Sequence, residues 1–250
     1  MNMLATLKTD ESITEDKDSL GGGGGALDTN IYASKVNLAF FRKSAGGALS
    51  VVLHLGTTDN REIRQTLWVT SGDAKGNKNY YETKDRERKY LPGFTVFRSL
   101  SALTLGKEPA DLTVEKKVVN LYSVDAGKEV PTEVDMLTEL LDQEVYTALF
   151  KQVVDKNAKG DDGVYRPTGE TREENEIDKF FRAADKMTLA EIQGSAVEAA
   201  FFDQWKAKWE GQVRDRTSKD APKVVGVAGV PNRPTAAAPA AGKPTQSLFG

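Results

Sequence analysis

Aromatic and basic side chains are interleaved in one stretch of the chain, from Arg61 to Phe97. Flat rings stack on nucleic-acid bases, and flexible cations beside them neutralise phosphates. The stretch therefore has the composition of a surface for single-stranded nucleic acid. The candidate contact residues are Arg61, Arg64, Trp68, Lys75, Lys78, Tyr80, Tyr81, Lys84, Arg86, Arg88, Lys89 and Tyr90.

Each member of this set also has an ordinary structural interpretation. Trp68 could cover an apolar patch under the basic loop, and Tyr80 and Tyr81 could pack across a hairpin. Tyr90 could pack against the helix that follows it, and the cations could form a solvated loop offset by neighbouring acids. We favour the nucleic-acid interpretation because the rings and the cations share one segment.

Positive charge is concentrated around this stretch, although the whole chain has a net charge of −3. Residues 31–100 carry 12 Lys and Arg against 6 Asp and Glu, whereas residues 101–150 carry 4 against 10. The attraction of phosphates depends on the local field and not on the total charge. The acidic balance of the chain is therefore compatible with a nucleic-acid surface.

Catalytic and metal chemistry has little support in the sequence. The chain has no cysteine and one histidine, His54, which excludes disulfides, thiolate sites and the usual zinc sites. The acids Asp161, Asp162, Glu170, Glu173, Glu174 and Glu176 could hold metal ions in a nuclease. A turn at residues 161–163 and a solvated segment explain them more simply. We predict no catalytic residue, no metal site and no cofactor.

The sequence also predicts a cytoplasmic protein without membrane association. No apolar run approaches the roughly 20 residues that a membrane-spanning helix needs. The first 18 residues are acidic and lack the pattern of a secretory signal.

Three strands are predicted to position the Trp68 region. Residues 31–44, 48–55 and 61–70 alternate in polarity and are separated by turns, which predicts an antiparallel meander. In the first strand, the alternation places Val36, Leu38 and Phe40 on one face and Phe41 on the other. In the third strand, Ile63, Leu67 and Val69 share one face, and Arg64, Thr66 and Trp68 share the opposite face.

The remaining elements are predicted from the same periodicities. A helix should begin near Pro92 and end before Gly106, and Thr188 should cap a helix of roughly five or six turns that includes Trp205 and Trp209. Those two tryptophans are expected to be core or docking contacts. The other predictions are a strand at 117–124, a short strand and helical turn at 130–143, a central strand at 144–156, a polar loop at 156–171 and a closing strand at 173–183.

Together these elements predict an α+β, β-rich fold. Its centre would be an antiparallel barrel like that of oligonucleotide-binding (OB) folds, with insertions, a helix after the third strand, a C-terminal amphipathic helix and a disordered tail. Residues 1–25 are predicted to be a flexible arm with a glycine linker, residues 26–185 the OB-like domain and residues 186–211 the helix packed on it. Residues 212–250 are predicted to be the tail, with Leu248 and Phe249 as a docking tip.

Several segments resemble a known family. These are LGGGGGALDTNIYASKVNLAF, KSAGGALSVVLHL, RQTLWVTSGDAKGNKNYY, YLPGF, PTGETREENEIDKFFRA and the tail that ends in SLFG. In these segments the chain resembles the single-stranded DNA-binding proteins of tailed bacteriophages. The resemblance implies an OB barrel that coats single strands during replication and recombination in the host cytoplasm, without catalysis. It also implies contact with replication proteins or an RNA polymerase through the C-terminal end, and homo-oligomer formation is a further expectation.

One feature departs from the family pattern. Many such tails are acidic before their aromatic tip, whereas here the last thirty residues carry Lys223, Arg233 and Lys243 and no acid. A tail that imitates nucleic acid is therefore not expected. The alternative functions are a β-rich adaptor that recruits a polymerase through Leu248 and Phe249, and a carboxylate-dependent nuclease.

Overall fold

A computed structural model describes residues 25–123 and 126–218. The strands in these ranges are β1 Asn30–Lys43, β2 Leu49–Thr57, β3 Glu62–Trp68, β4 Tyr80–Glu82, β5 Arg88–Tyr90, β6 Glu115–Ser123, β7 Lys128–Met136, β8 Glu144–Lys159, β9 Tyr165–Arg182 and β10 Val213–Asp215. The helices are α1 Pro92–Leu105, α2 Leu189–Gln193 and α3 Phe201–Trp209. The predicted N-terminal arm, except residue 25, and the tail beyond residue 218 lie outside the described residues. Among those that are described, no helix is long and apolar enough to cross a membrane.

Eight of the strands form one open, mainly antiparallel sheet. Along its main path the order is β3, β2, β1, β8 and β10, with β9 on β8 and the β6–β7 pair joined to β1 through β7. The predicted meander is confirmed as β1–β2–β3, and β8 is central as predicted, because it pairs with β1, β9 and β10. Within the described chain β3 and β9 share no ladder, although the Ile177 amide donates to Gln65 Oε1 at 2.5 Å.

The main core lies between the inner faces of this sheet and α1. Val51, Leu53 and Leu55 of β2 are fully buried there with Phe97 and Leu100 of the helix. The predicted helix after the third strand is confirmed, with Pro at its first position. It ends at Gly106, which has a φ of 66° and donates its N–H to the Ala102 carbonyl.

A bulge at Asn37 changes the side-chain pattern of β1. Val36 lies opposite Leu55 and Leu38 opposite His54, so Asn37 is an extra residue. Beyond it the side chains swap faces: Phe41 packs on Phe97 in the main core, whereas Phe40 joins Val134 and Met136 in a small cluster on the other side. The prediction that Val36, Leu38 and Phe40 share one face was therefore wrong.

The predicted polar loop at 156–171 was also wrong. Strands β8 and β9 continue through it as a two-stranded ribbon, with Lys159 opposite Tyr165, and the chain turns between them. Most side chains of this ribbon are exposed on both faces, so the sequence there has no apolar alternation.

The long C-terminal helix is replaced by two short ones. Thr188 and Glu191 form the expected capping box at α2, but the other carboxylate oxygen of Glu191 accepts from the amides of Ala200 and Phe201 and so holds the start of α3. Trp205 is buried and donates to Asp178 Oδ2 at 2.8 Å, which confirms it as a core contact. After α3 the chain forms β10 at residues 213–215, within the predicted tail.

Candidate nucleic-acid interface

Trp68 lies on the outer face of β3, as the alternation predicts, and 48% of it is exposed. Ser50 of β2 is directly opposite Trp68, and Arg42 of β1 is directly opposite Ser50. Residues that face each other across an antiparallel pair point to the same side of the sheet. Trp68, the small buried Ser50 and Arg42 therefore form one row across three strands.

Arg42 is not among the contact residues that were predicted from the sequence. It is exposed and forms no ion pair within the described residues. The sequence did contain a signal, because a hairpin that turns at residues 45–47 brings the end of β1 beside the start of β2. The outer surface made by Arg42, Ser50, His54, Arg64, Thr66 and Trp68 is called the Trp68 face below.

The start of α1 fixes the backbone of Trp68. A Cβ atom built on Gly93 would lie 2.3 Å from the Trp68 carbonyl oxygen and 2.8 Å from its nitrogen. Only glycine allows the helix to approach the strand this closely. Beside this contact is a cavity of about 390 Å³, whose lining includes Trp68, Lys75, Gly93 and Ile177. Lys75 of the predicted set is thus close to Trp68.

Arg64 shares a carboxylate with His54 on the Trp68 face. Glu62 Oε2 lies 2.6 Å from Arg64 Nη2, and Glu62 Oε1 lies 3.1 Å from His54 Nδ1. Burial lowers the pKa of His54, and the charge of Arg64 lowers it further against the opposing effect of Glu62. His54 is therefore neutral at pH 7, and Glu62 offsets part of the positive charge of Arg64.

Arg61 does not belong to this group. It precedes β3 at the end away from Trp68, roughly 20 Å along an extended chain. Its Nε donates to Asp59 Oδ2 at 2.7 Å, and its guanidinium lies 5.3 Å from the centre of the Tyr32 ring. Arg61 and Lys35 line a separate cavity of about 600 Å³ where β1 and β2 meet β8.

The rest of the predicted set lies on and beside a small hairpin, β4–β5, called the basic hairpin below. Tyr80 is opposite Tyr90, and Tyr81 is opposite Lys89. Tyr80 and Tyr90 therefore share one face of the hairpin, and Tyr81 is on the other. The structure does not bring the three tyrosines together on one surface.

The tyrosines also differ in how accessible their rings are. Tyr80 is half-buried, with the cations of Lys78 and Arg88 5.5 and 5.1 Å from its ring centre. Tyr90 contacts Phe94 of α1 at 5.0 Å between ring centres but remains 53% exposed. Tyr81 is 46% exposed. Tyr81 and Tyr90 are therefore the more accessible rings of the hairpin.

Some cations of the basic hairpin form ion pairs with neighbouring glutamates, and others form none with a described residue. Arg88 contacts Glu82 at 3.4 Å and Lys89 contacts Glu87 at 3.3 Å. Such exposed pairs are weak and are screened by salt. No ion pair with a described residue forms at Lys75, Lys78, Lys84 or Arg86.

Five of the six acids considered as metal ligands form ion pairs with described cations. Asp162 accepts from Arg166 at 2.9 and 2.6 Å and from the Val164 amide, which makes it part of the β8–β9 turn. Glu170 pairs with Lys156, and Glu173 with Lys151. The described residues contain no group of three or more histidines or carboxylates that could hold a metal ion.

No protein-family model matches the chain, and no curated protein matches it either. The proposed docking residues Leu248 and Phe249 lie outside the described residues. The Trp68 face and the basic hairpin are thus the features from which a function can be inferred.

Proposed function

We propose that this protein binds single-stranded DNA without catalysis and without sequence preference, in phage DNA replication and recombination in the host cytoplasm. The observation that carries the proposal is the half-exposed Trp68 on a sheet face, in one row with Arg42, which forms no ion pair with any described residue. An aromatic platform beside cations suits a single strand, whose bases are free to stack.

The proposal gives each group a role. One base stacks on Trp68, and Arg42, roughly 10 Å away by strand spacing, reaches a neighbouring phosphate. The cations of the basic hairpin that pair with no described residue attract further phosphates, and Tyr81 or Tyr90 offers a second ring. Stacking and phosphate contacts do not read base edges, so binding should be independent of sequence.

We further propose that the domain is an OB-type barrel. In support, a three-strand meander is followed by a helix, α1, that contacts both β3 and β9. The β8–β9 hairpin then supplies the two remaining strands, with the β6–β7 pair as an insertion. OB folds bind oligonucleotides on the face of their second and third strands, which here carries Trp68.

Fluorescence anisotropy with a labelled oligo-dT and a duplex of equal length tests the function. We expect tight binding of the single strand, weak binding of the duplex and a steep loss of affinity between about 50 and 200 mM salt. Absence of binding, or equal binding of the duplex, would contradict the proposal. Magnesium-dependent cutting of the strand would favour the nuclease alternative.

The role of Arg42 has a separate test. Each phosphate contact to a single strand contributes about 0.7 to the slope of log K against log salt concentration. Arg42→Ala should reduce that slope by about this amount, because one phosphate contact is lost. Lys128→Ala, which removes an exposed cation from the far end of β7, should leave the slope unchanged. Equal slopes for Arg42→Ala and the parent protein would exclude Arg42 from the interface.

A further inference from the structure

The outer edge of β6 has no described partner. β6 pairs with β7 over all nine of its residues, and no other strand in the described ranges pairs with it. No described strand pairs with the N–H and C=O groups that point away from β7, so another strand can bind to them. β6 can therefore extend its sheet by one strand.

The outer face of β6 exposes apolar side chains. Val114, just before the strand, is 44% exposed, and Val118 and Tyr122 are 68% and 67% exposed. Their spacing of four residues places them on one side of an extended chain. On the opposite side, Val119 and Leu121 are only half-buried against the small cluster around Phe40. Both sides of the strand thus have apolar surface that a further strand would cover.

The lysines of β6 do not protect this edge in the usual way. Exposed lysines on an edge strand normally repel a second copy of the same strand. Here Lys116 Nζ lies 3.1 Å from Glu133 and 3.3 Å from Asp135, both on β7, and Lys117 Nζ lies 2.8 Å from Glu115. Their charges are therefore partly offset by acids of β6 and β7.

We propose that β6 pairs antiparallel with β6 of a second copy, so that the protein forms a two-fold symmetric dimer with Asn120 opposite its own copy. In this register Val118 faces Tyr122 of the partner subunit, and on the other side of the strand Val119 faces the partner's Leu121. Lys117 faces the partner's Ser123. Between Lys117 and Ser123 the register thus gives two kinds of apolar pair, an asparagine pair at the two-fold axis and a lysine opposite a serine. No like charges face each other in this range.

Charge substitutions at Asn120 test the dimer, because this side chain is exposed and faces its own copy across the proposed interface, whereas its partner on β7 is the uncharged Pro131. Sedimentation equilibrium without DNA should show a concentration-dependent dimer for the parent protein. Asn120→Lys and Asn120→Asp should each be monomeric, since like charges then meet at the two-fold axis. An equimolar mixture of the two variants should recover the dimer. A parent protein that is monomeric throughout, or variants that dimerise as well as the parent, would overturn the proposal.

A cross-linking experiment checks the register independently. The chain has no cysteine, so Asn120→Cys can form a disulfide only with another molecule. Facing residues in antiparallel strands have Cα atoms about 4.5–5.5 Å apart, which suits a disulfide. Val197→Cys is the control, because Val197 is 99% exposed in the segment between α2 and α3. Rapid cross-linking at position 120 and slow cross-linking at 197 are expected, and equal rates would refute the pairing.

Discussion

The most direct perturbation of the proposed interface is Trp68→Ala. The indole is 48% exposed, so about half of the residue surface can be covered by a stacked base. Replacing a stacking aromatic by alanine costs about 1–3 kcal/mol per base. Affinity for oligo-dT should therefore fall by about 5- to 150-fold. Trp68→Phe should retain most of the affinity, since a smaller ring remains.

Intrinsic fluorescence provides the assay. The other two tryptophans are in different surroundings: Trp205 is 2% exposed and hydrogen-bonded to Asp178, and Trp209 packs edge-on against Phe150 at 5.3 Å. Quenching on addition of oligo-dT should therefore come from Trp68. It should be present in the parent protein and absent in Trp68→Phe.

A matched control separates stacking from a general loss of structure. Phe201→Ala removes another partly exposed ring, at the start of α3, and should leave DNA affinity unchanged. Trp68→Ala itself should remain folded, with roughly 1 kcal/mol lost from the free energy of unfolding. If folded Trp68→Ala binds oligo-dT as tightly as the parent, the interface is in the wrong place.

Three further predictions follow from named contacts. Glu62→Gln should free Arg64 from its ion pair and so tighten oligo-dT binding. The slope of log K against log salt concentration should become steeper by about 0.7, because one more phosphate contact forms. Glu210→Gln, which removes an ion pair with Lys206 on α3, is the control and should change neither the affinity nor the slope. Hydrogen bonds from Lys107 and the Thr113 amide lower the pKa of Glu139 to about 2. The stability that the ionised Glu139 contributes is complete above the usual pKa of a glutamate and is lost as the pH falls towards 2. Denaturant titrations in acid should therefore show a weaker loss of stability for Glu139→Gln than for the parent protein. Glu191→Ala should lower the free energy of unfolding by about 1.5–3 kcal/mol in the same titrations, because four hydrogen bonds at the starts of α2 and α3 are lost. Thr188→Ala, which removes the cap of α2 alone, should lower it by about 1 kcal/mol.

The local elements around the site could be predicted from the sequence. The inner residues of β2 and β3 were identified by alternation, and both ends of α1 by Pro92 and Gly106. These signals are local, since the side-chain period of a strand and the backbone conformation of proline and glycine act within a few residues. For the same reason the exposure of Trp68 opposite a buried face could be predicted.

The failures had non-local causes. The bulge at Asn37 follows from the pairing of β1 with β2 and changes the face of Phe40. Glu191 was predicted to cap the start of α2, but it also accepts a hydrogen bond from the Phe201 amide at the start of α3. This second contact, which stabilises the break between the two helices, could not be predicted from the capping box. The β8–β9 ribbon has no buried face at its tip, so its polar sequence resembles a loop.

The local patterns of the sequence were enough to predict a tryptophan on the outer face of a three-strand meander, followed by a segment of rings and cations. Which of these groups lie on a common surface depends on the tertiary structure. It placed Arg42 in the row of Trp68, separated Arg61 from that row, and divided the tyrosines between two faces of the basic hairpin. A surface that spans several strands depends on their register, and the register is set by contacts between residues that are distant in sequence.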